Sequence, residues 1–236
     1  MLTASPEMRS RLRSITKYLS RHELGQWEKI LSPLSRDLSI LEVGCGRGTK
    51  TDFLRSIGFT DILGVEKNEH QVRECRDRGL NVVSLSDFDS NHGDERFDLL
   101  ILSHIVEHFD SGSVVDFIDG YLKFLRPGGL LLVATPILHP HFWHDLDHCK
   151  PYYPQGIRNF YSGAGQQVGY FSQYCLKLKD IRYRRSPFRI KNSRSLLLKK
   201  NDLPVLLFNA ASAALARLSF HLIGYKSGWV GLYKLK

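Results

Sequence analysis

The chain has 236 residues, 42% of them hydrophobic, and 33 Lys and Arg against 24 Asp and Glu give a formal net charge of +9. That size and apolar share accommodate a single domain with a substantial core. The four cysteines, Cys45, Cys75, Cys149 and Cys175, form no C-x-x-C pair, so neither a disulfide framework nor a cysteine zinc site is indicated, and a reducing, cytoplasmic compartment fits best.

Residues 7–34 read as helix, with Leu12, Ile15, Leu19 and then Trp27, Ile30, Leu31 and Leu34 at helical spacings and a break near Gly25. The apolar run 38–43 predicts a buried strand, 49–58 a helix closed by Gly58, and 61–68 a second strand. A helix over 69–79, a strand over 81–86 and a very apolar strand over 96–105 follow. The segment 113–129 predicts a helix and turn, and 130–136 a fifth strand. Residues 137–161, rich in His, aromatic residues and Pro, read as an irregular loop. Strands are expected at 175–185 and 228–236, with an apolar helix over 202–224 that begins at Asp202 and Pro204. Strands alternating with helices, and apolar throughout, predict a doubly wound, mostly parallel α/β sheet covered on both faces. One domain is expected, with N-terminal helices (1–37), a ligand-binding core (38–136), a substrate-side loop (137–174) and C-terminal strands (175–236) carrying an insert at 186–226.

The stretch LEVGCGRG, residues 41–48, puts Gly44, Gly46 and Gly48 at the first strand-to-helix turn. There they permit a sharp bend and a close approach of ligand to backbone. Glu66 ends the second strand, where an acid commonly binds ribose hydroxyls. The spacing is G-x-G-x-G rather than the G-x-G-x-x-G of dinucleotide binders, so an adenosine-containing ligand of another kind is expected.

Glu42 followed by these glycines resembles the first motif of class I S-adenosylmethionine-dependent methyltransferases. GVEKN (64–68), LSD (85–87), FDLLILSHIVEHF (97–109) and LRPGGLLLVATP (125–136) are similar to the later motifs of that family, in order. The resemblance spans about residues 38–136 and implies a seven-stranded Rossmann-like sheet with an antiparallel last strand. It implies S-adenosyl-L-methionine as cofactor, held by Glu42, Gly44, Cys45, Gly46 and Gly48, with Glu66 and Lys67 at the ribose. Asp87 and Phe88 would flank the adenine, and Ser103 and His104 would lie under the sulfonium.

For the chemistry, His108 is the first candidate base and His104 the second, since imidazole suits proton transfer near neutral pH; a purely structural role for the EH pair is the competing reading. The following loop gathers His139, His144, Asp147, His148 and Tyr152, which suit recognition of a polyhydroxylated or ring-shaped acceptor. HDLDH (144–148) imitates a zinc-protease motif, but Pro140 and Pro151 hem it in, and no metal is expected. The segment 147–154 also looks like one found in methyltransferases of glycan pathways, so O-methylation of a sugar or lipid-linked intermediate is the leading expectation, with a quinone-like metabolite as alternative. Residues 176–200 hold ten Lys or Arg against Asp180 alone. With the apolar helix beside them, they leave three readings for the insert: a helical pair packing on the domain or on a second subunit, a contact with an anionic membrane surface, or a cap on the pocket. SHIV in place of the [DNS]-P-P-[YFW] motif argues against nucleic acid as substrate; a non-catalytic scaffold remains the reading from another class.

Overall fold

A computed structural model of the chain describes residues 5–19, 22–93, 95–162, 171–190 and 202–236. In chain order the elements are α1 (Pro6–Leu19), α2 (Glu23–Leu31), β1 (Ile40–Val43), α3 (Thr49–Ser56), β2 (Ile62–Glu66), α4 (Glu69–Asp77), β3 (Val82–Ser84) and α5 (Leu85–Asn91). They continue with β4 (Phe97–Ser103), α6 (Ser111–Leu122), β5 (Leu125–Pro136), α7 (Pro154–Phe160), β6 (Leu176–Ser186), α8 (Leu203–Leu218) and β7 (Tyr225–Leu235). Short 3₁₀ turns lie at Val106–His108 and Phe142–His144.

The strands form one seven-stranded sheet in the order β3-β2-β1-β4-β5-β7-β6. β1 pairs in parallel with β2 and β4, β2 with β3, and β4 with β5, whereas β7 runs antiparallel to β5. This is the mostly parallel doubly wound sheet expected from the sequence. Alternate residues of the central strands enter two separate cores. Leu41, Val43, Leu63, Val65, Leu100 and Leu102 pack on one face, and Ile40, Ile62, Leu99 and Ile101 pack with Trp27, Ile30, Leu31 and Leu54 on the other. Burial of both faces is why these strands are apolar without alternation.

Local chemistry sets the boundaries. Asn68 caps α4, its side-chain oxygen accepting from the N–H groups of His70 (3.0 Å) and Gln71 (3.3 Å), and Asp110 caps α6 in the same way. β3 stops at Ser84, short of the expected strand, because the Ser84 hydroxyl accepts from Asp87 N–H (3.1 Å) and starts α5. α6 ends at Leu122, and β5 begins at Leu125, so the R-P-G-G turn interrupts an extended segment instead of preceding it. The N-terminal helical stretch divides into α1 and α2, and Gly25, where the sequence predicts the break, lies inside α2.

The chain divides into two compact units: residues 1–26 with 183–227, and residues 27–182 with 228–236. In the first, Arg184 donates to Glu23 (2.7 Å) and to the hydroxyl and carbonyl of Ser227, and the Asn209 side chain bonds both backbone groups of Ile190. The stretch 191–201 of the basic insert lies outside the described residues. No helix of the described residues is long and apolar enough to cross a membrane.

Glu42 sits at the centre of the sheet, fully buried, with its carboxyl accepting from the Thr51 hydroxyl at 2.7 Å. Burial pushes its pKa up to about 7, against the lowering effects of the Thr51 bond and Lys50. Between its ordinary 4.5 and that value the folded chain keeps a proton the unfolded chain has lost, so stability falls as pH rises through this window. The loss amounts to about 3 kcal/mol, from the pKa difference at 1.36 kcal/mol per unit. Glu42→Gln is therefore expected to match the parent at pH 5 and to exceed it by about 2–3 kcal/mol at pH 8. Urea titrations at the two values check this, and equal pH slopes for parent and variant would show that Glu42 ionises in the fold.

Candidate active site

Where the strand order reverses between β1 and β4, a cleft of about 860 Å³ opens at the carboxyl ends of the parallel strands, the position at which such sheets bind ligands. Val43, Gly44, Val65, Glu66, Lys67 and Leu85 wall one side. The other side is formed by His104, Ile105, His108 and Phe109 after β4, Phe117 and Tyr121 on α6, and Leu146, Asp147 and Cys149 from the following loop.

The glycine turn and Glu66 form one hydrogen-bonded unit. Glu66 Oε2 accepts from Gly46 N–H and Oε1 from Asn68 N–H, both at 2.9 Å. Each carboxylate oxygen has a second acceptor site, and Glu66 lines the cleft, so the fixed carboxylate can receive two neighbouring hydroxyls. Gly44 is left-handed (φ 71°), and a Cβ there would lie 2.6 Å from Ile105 Cδ1 in the cleft wall. Gly48, also left-handed, caps α3, and a Cβ there would collide with Leu80. An adenosyl ligand with a ribose diol fits this set: a paired acceptor beside a turn whose Gly44 lines the cleft.

Several residues expected at the cofactor do not line the cleft. Glu42 and Gly48 are buried in the fold, and Cys45 packs against Gly64 and Val82. Burial, reinforced by Glu42, pushes the Cys45 thiol well above its ordinary range, so it is an inert filler. Ser103 is buried at the end of β4 and paired with Ala134, outside the cleft lining. Asp87 is exposed and pairs with Arg76 at 3.4 Å, while Phe88 is completely buried against Phe124, with ring centroids 4.9 Å apart. The early start of α5 turns both away and leaves Leu85 at the cleft. The serine three residues before Asp87 is the sequence signal for that helix start.

SHIVEHF folds into a turn with opposite roles for its acid and its last histidine. Glu107 points inward, almost fully buried. Its Oε2 accepts from the Thr135 hydroxyl (2.9 Å), its Oε1 lies 3.3 Å from His104 Nδ1, and its carbonyl accepts from Cys149 N–H (2.8 Å) and Lys150 N–H (3.2 Å). Burial opposes ionisation of Glu107, but His104 and then Thr135 hold its pKa below the ordinary carboxylate value. It thus ties the ends of β4 and β5 to the acceptor-side loop. His104, itself left-handed (φ 54°), forms part of the cleft wall.

His108 points into the cleft. Its Nδ1 lies 3.0 Å from the Asp147 carbonyl. A carbonyl only accepts, so Nδ1 carries the proton and Nε2 keeps a free lone pair in the neutral ring. His148 is held in the same way by the Phe142 carbonyl (2.8 Å), and the two imidazoles meet edge to face, 5.1 Å apart. Glu107, His108 and His148 each bring one ligand atom within 4.8 Å of the others, the one such grouping among the described residues.

Of the expected acceptor residues, Asp147 lines the cleft, and His148 stands behind it against His108. His139 and His144 do not line it: His139 Nδ1 accepts from His141 N–H, and His144 is exposed beside His141. Tyr152 supports the wall from outside, donating to the Phe109 carbonyl (3.0 Å) and accepting from Trp229 Nε1–H (2.8 Å). Sequence reasoning missed the aromatic side of the cleft. Phe109 stacks on Phe117 (4.4 Å), which meets Tyr121 edge to face (5.1 Å). Burial, and then Asp89, push the Tyr121 phenol up to about 12, which keeps it protonated at neutral pH. The i, i+4 spacing of Phe117 and Tyr121 on α6 was the available signal.

The methyltransferase domain model matches residues 8–165, more than half of the chain. The ubiquinone biosynthesis O-methyltransferase of Rickettsia conorii is 29% identical over 114 residues, covering 47% of this chain and 38% of that protein. The chain thus spans well under half the length of this curated relative. Among solved structures, a SAM-dependent methyltransferase from Archaeoglobus fulgidus is 18% identical, covers 98% of this chain and 95% of its own, and superposes with a TM-score of 0.52. The N-methyltransferase NodS from Bradyrhizobium japonicum, solved with S-adenosyl-L-homocysteine, is 15% identical, covers 99% and 89%, and gives 0.51. With the family match on top of the ordered motifs and the strand order, the chain belongs to the methyltransferase domain family, of the class I, S-adenosylmethionine-dependent type.

Proposed function

We propose that the chain transfers the methyl group of S-adenosyl-L-methionine to a hydroxyl oxygen of a small, largely apolar ring compound, quinone-like in character. The observation that carries this reading is the composition of the cleft. Its first side offers a doubly anchored carboxylate and an open glycine turn for the adenosyl group, and its second is aromatic and apolar apart from His104, His108, Asp147 and Cys149. An aromatic wall suits a flat ring better than a sugar, whose hydroxyls each need a polar partner. Most polar groups that favoured a sugar, His139 and His144 among them, stand outside the cleft. Similarity to ubiquinone biosynthesis O-methyltransferases supports the same choice.

When bound, the sulfonium supplies an activated methyl group and leaves as a neutral thioether. Glu66 would hold its ribose, and Gly44 would let it reach the backbone. The chain's own part is to align the acceptor, exclude water and take one proton, and alignment of this kind is worth roughly 7–11 kcal/mol. His108 Nε2 takes the hydroxyl proton as the oxygen attacks, while the Asp147 carbonyl fixes the ring through Nδ1. Tyr121, held protonated, donates to the acceptor and does not serve as base.

The test is methyl transfer from labelled donor to a panel of catechols, quinols and free or lipid-linked sugars. Incorporation into the phenolic compounds is expected, and incorporation into sugars alone would overturn the acceptor class. A second reading rests on the clustering of Glu107, His108 and His148, whose carboxylate and imidazole donors suit a divalent cation that would bind the acceptor oxygen in place of a base. Chelation separates the two. Turnover unchanged in EDTA supports His108 as base, whereas loss restored by added metal supports the cation.

A further inference from the structure

We propose that the unit formed by residues 1–26 and 183–227 docks on the surface of an anionic lipid bilayer through the end of α8 and the loop that follows it.

Charge is the first observation. This unit holds fourteen Lys or Arg against three acids, Glu7, Glu23 and Asp202, a net of +11, so the rest of the chain nets −2. The whole basic excess of the protein therefore belongs to one unit. The second observation is an apolar projection on the same unit. Leu218, Phe220 and Leu222 are 79%, 89% and 73% exposed. Phe208, Leu215 and Leu218 continue this surface along α8 at spacings of seven and three residues, on one helix face.

The loop holds these side chains out by design. Phe220 and His221 are both left-handed (φ 52° and 61°), a conformation costly for residues with a Cβ, bulky ones above all. Backbone bonds from Phe220 N–H to Arg217 and from His221 N–H to Ala216, with Ile223 N–H on the Ser219 hydroxyl, fix the turn. Arg185 donates to the carbonyls of His221 and Leu222, which puts a guanidinium at the base of the projection, and the exposed Arg217 and Lys226 flank it in sequence.

An apolar tip with Arg185 at its base and cations flanking it in sequence matches a bilayer interface, where acyl chains receive the first and anionic headgroups the second. A second copy of the chain matches it poorly. A twofold interface sets a patch against itself, and this one would oppose its own Arg185, Arg217 and Lys226. Nucleic acid would answer the charge but leave Leu218, Phe220 and Leu222 in water. The inference is independent of the acceptor assigned above.

The test is co-sedimentation of the full chain with vesicles of phosphatidylcholine alone or in equal parts with phosphatidylglycerol. The parent is expected to bind the anionic vesicles at least tenfold more tightly than the neutral ones. Phe220→Asn with Leu222→Ser should lose at least tenfold, with affinity for the methyl donor unchanged as evidence of an intact fold. Asn tolerates the left-handed region, so this variant relieves strain rather than adding it. Arg217→Glu, on an exposed turn, should weaken binding to anionic vesicles only. Equal binding to both vesicle types, parent-like binding by the double variant, or RNA binding without vesicle binding would each overturn the proposal. So would a lipid-free dimer that the double variant abolishes.

Discussion

Glu66→Ala binds S-adenosylmethionine and its demethylated product on the order of 100-fold more weakly than the parent, the loss of at least one charge-assisted hydrogen bond and more often two. The carboxylate is anchored by Gly46 N–H and Asn68 N–H and presents its remaining acceptor sites to the cleft. Removing it would take away both proposed ribose contacts and free the glycine turn from β2. Glu66→Gln is expected to do little better, because its NH₂ group would face one of the two backbone donors. Calorimetry with donor and product gives the affinities, and melting curves give the fold. Unchanged affinity in the alanine variant would remove the carboxylate from the ribose site and with it the orientation assigned to the cleft.

His108→Ala lowers turnover about 10²–10⁴-fold, the range for loss of a positioned base, and leaves donor affinity near that of the parent. The ring also fastens the Asp147 carbonyl, so a loss of activity alone would not separate chemistry from positioning. Rescue by added imidazole does separate them, since free imidazole restores a base and not a tether. Parent-like turnover in the alanine variant would eliminate His108 as base.

The layered sheet was legible because its causes are local. Apolar runs closed by glycine mark strands buried on both faces, and their alternation with helices leaves few ways to connect them. The switch-point cleft and Glu66 followed from the same reading, because the position of a strand end is set by the sheet. The placements that differ from expectation lie where one side chain redirects the backbone. Ser84 starts a helix three residues before Asp87, and that cap sends Phe88 into the core. Glu107 and His108 are neighbours in a 3₁₀ turn, so one is buried and the other faces the cleft, which no helical periodicity would separate. The histidines of the loop after β5 look equivalent in sequence. Only the contact of His148 with His108, a cleft residue from the turn after β4, distinguishes it from His139 and His144.

The position of β7 between β5 and β6 bears on how the chain is made. Its seventh strand is translated last yet occupies an interior place. Until it emerges, the open flank of β5 and the whole of β6 present unpaired backbone groups, a template for pairing with other nascent chains. Ribosomal synthesis therefore passes through an interval in which five strands are already assembled and a sixth has nowhere to dock, and a chaperone that shields strand edges during that interval should raise the yield of folded protein.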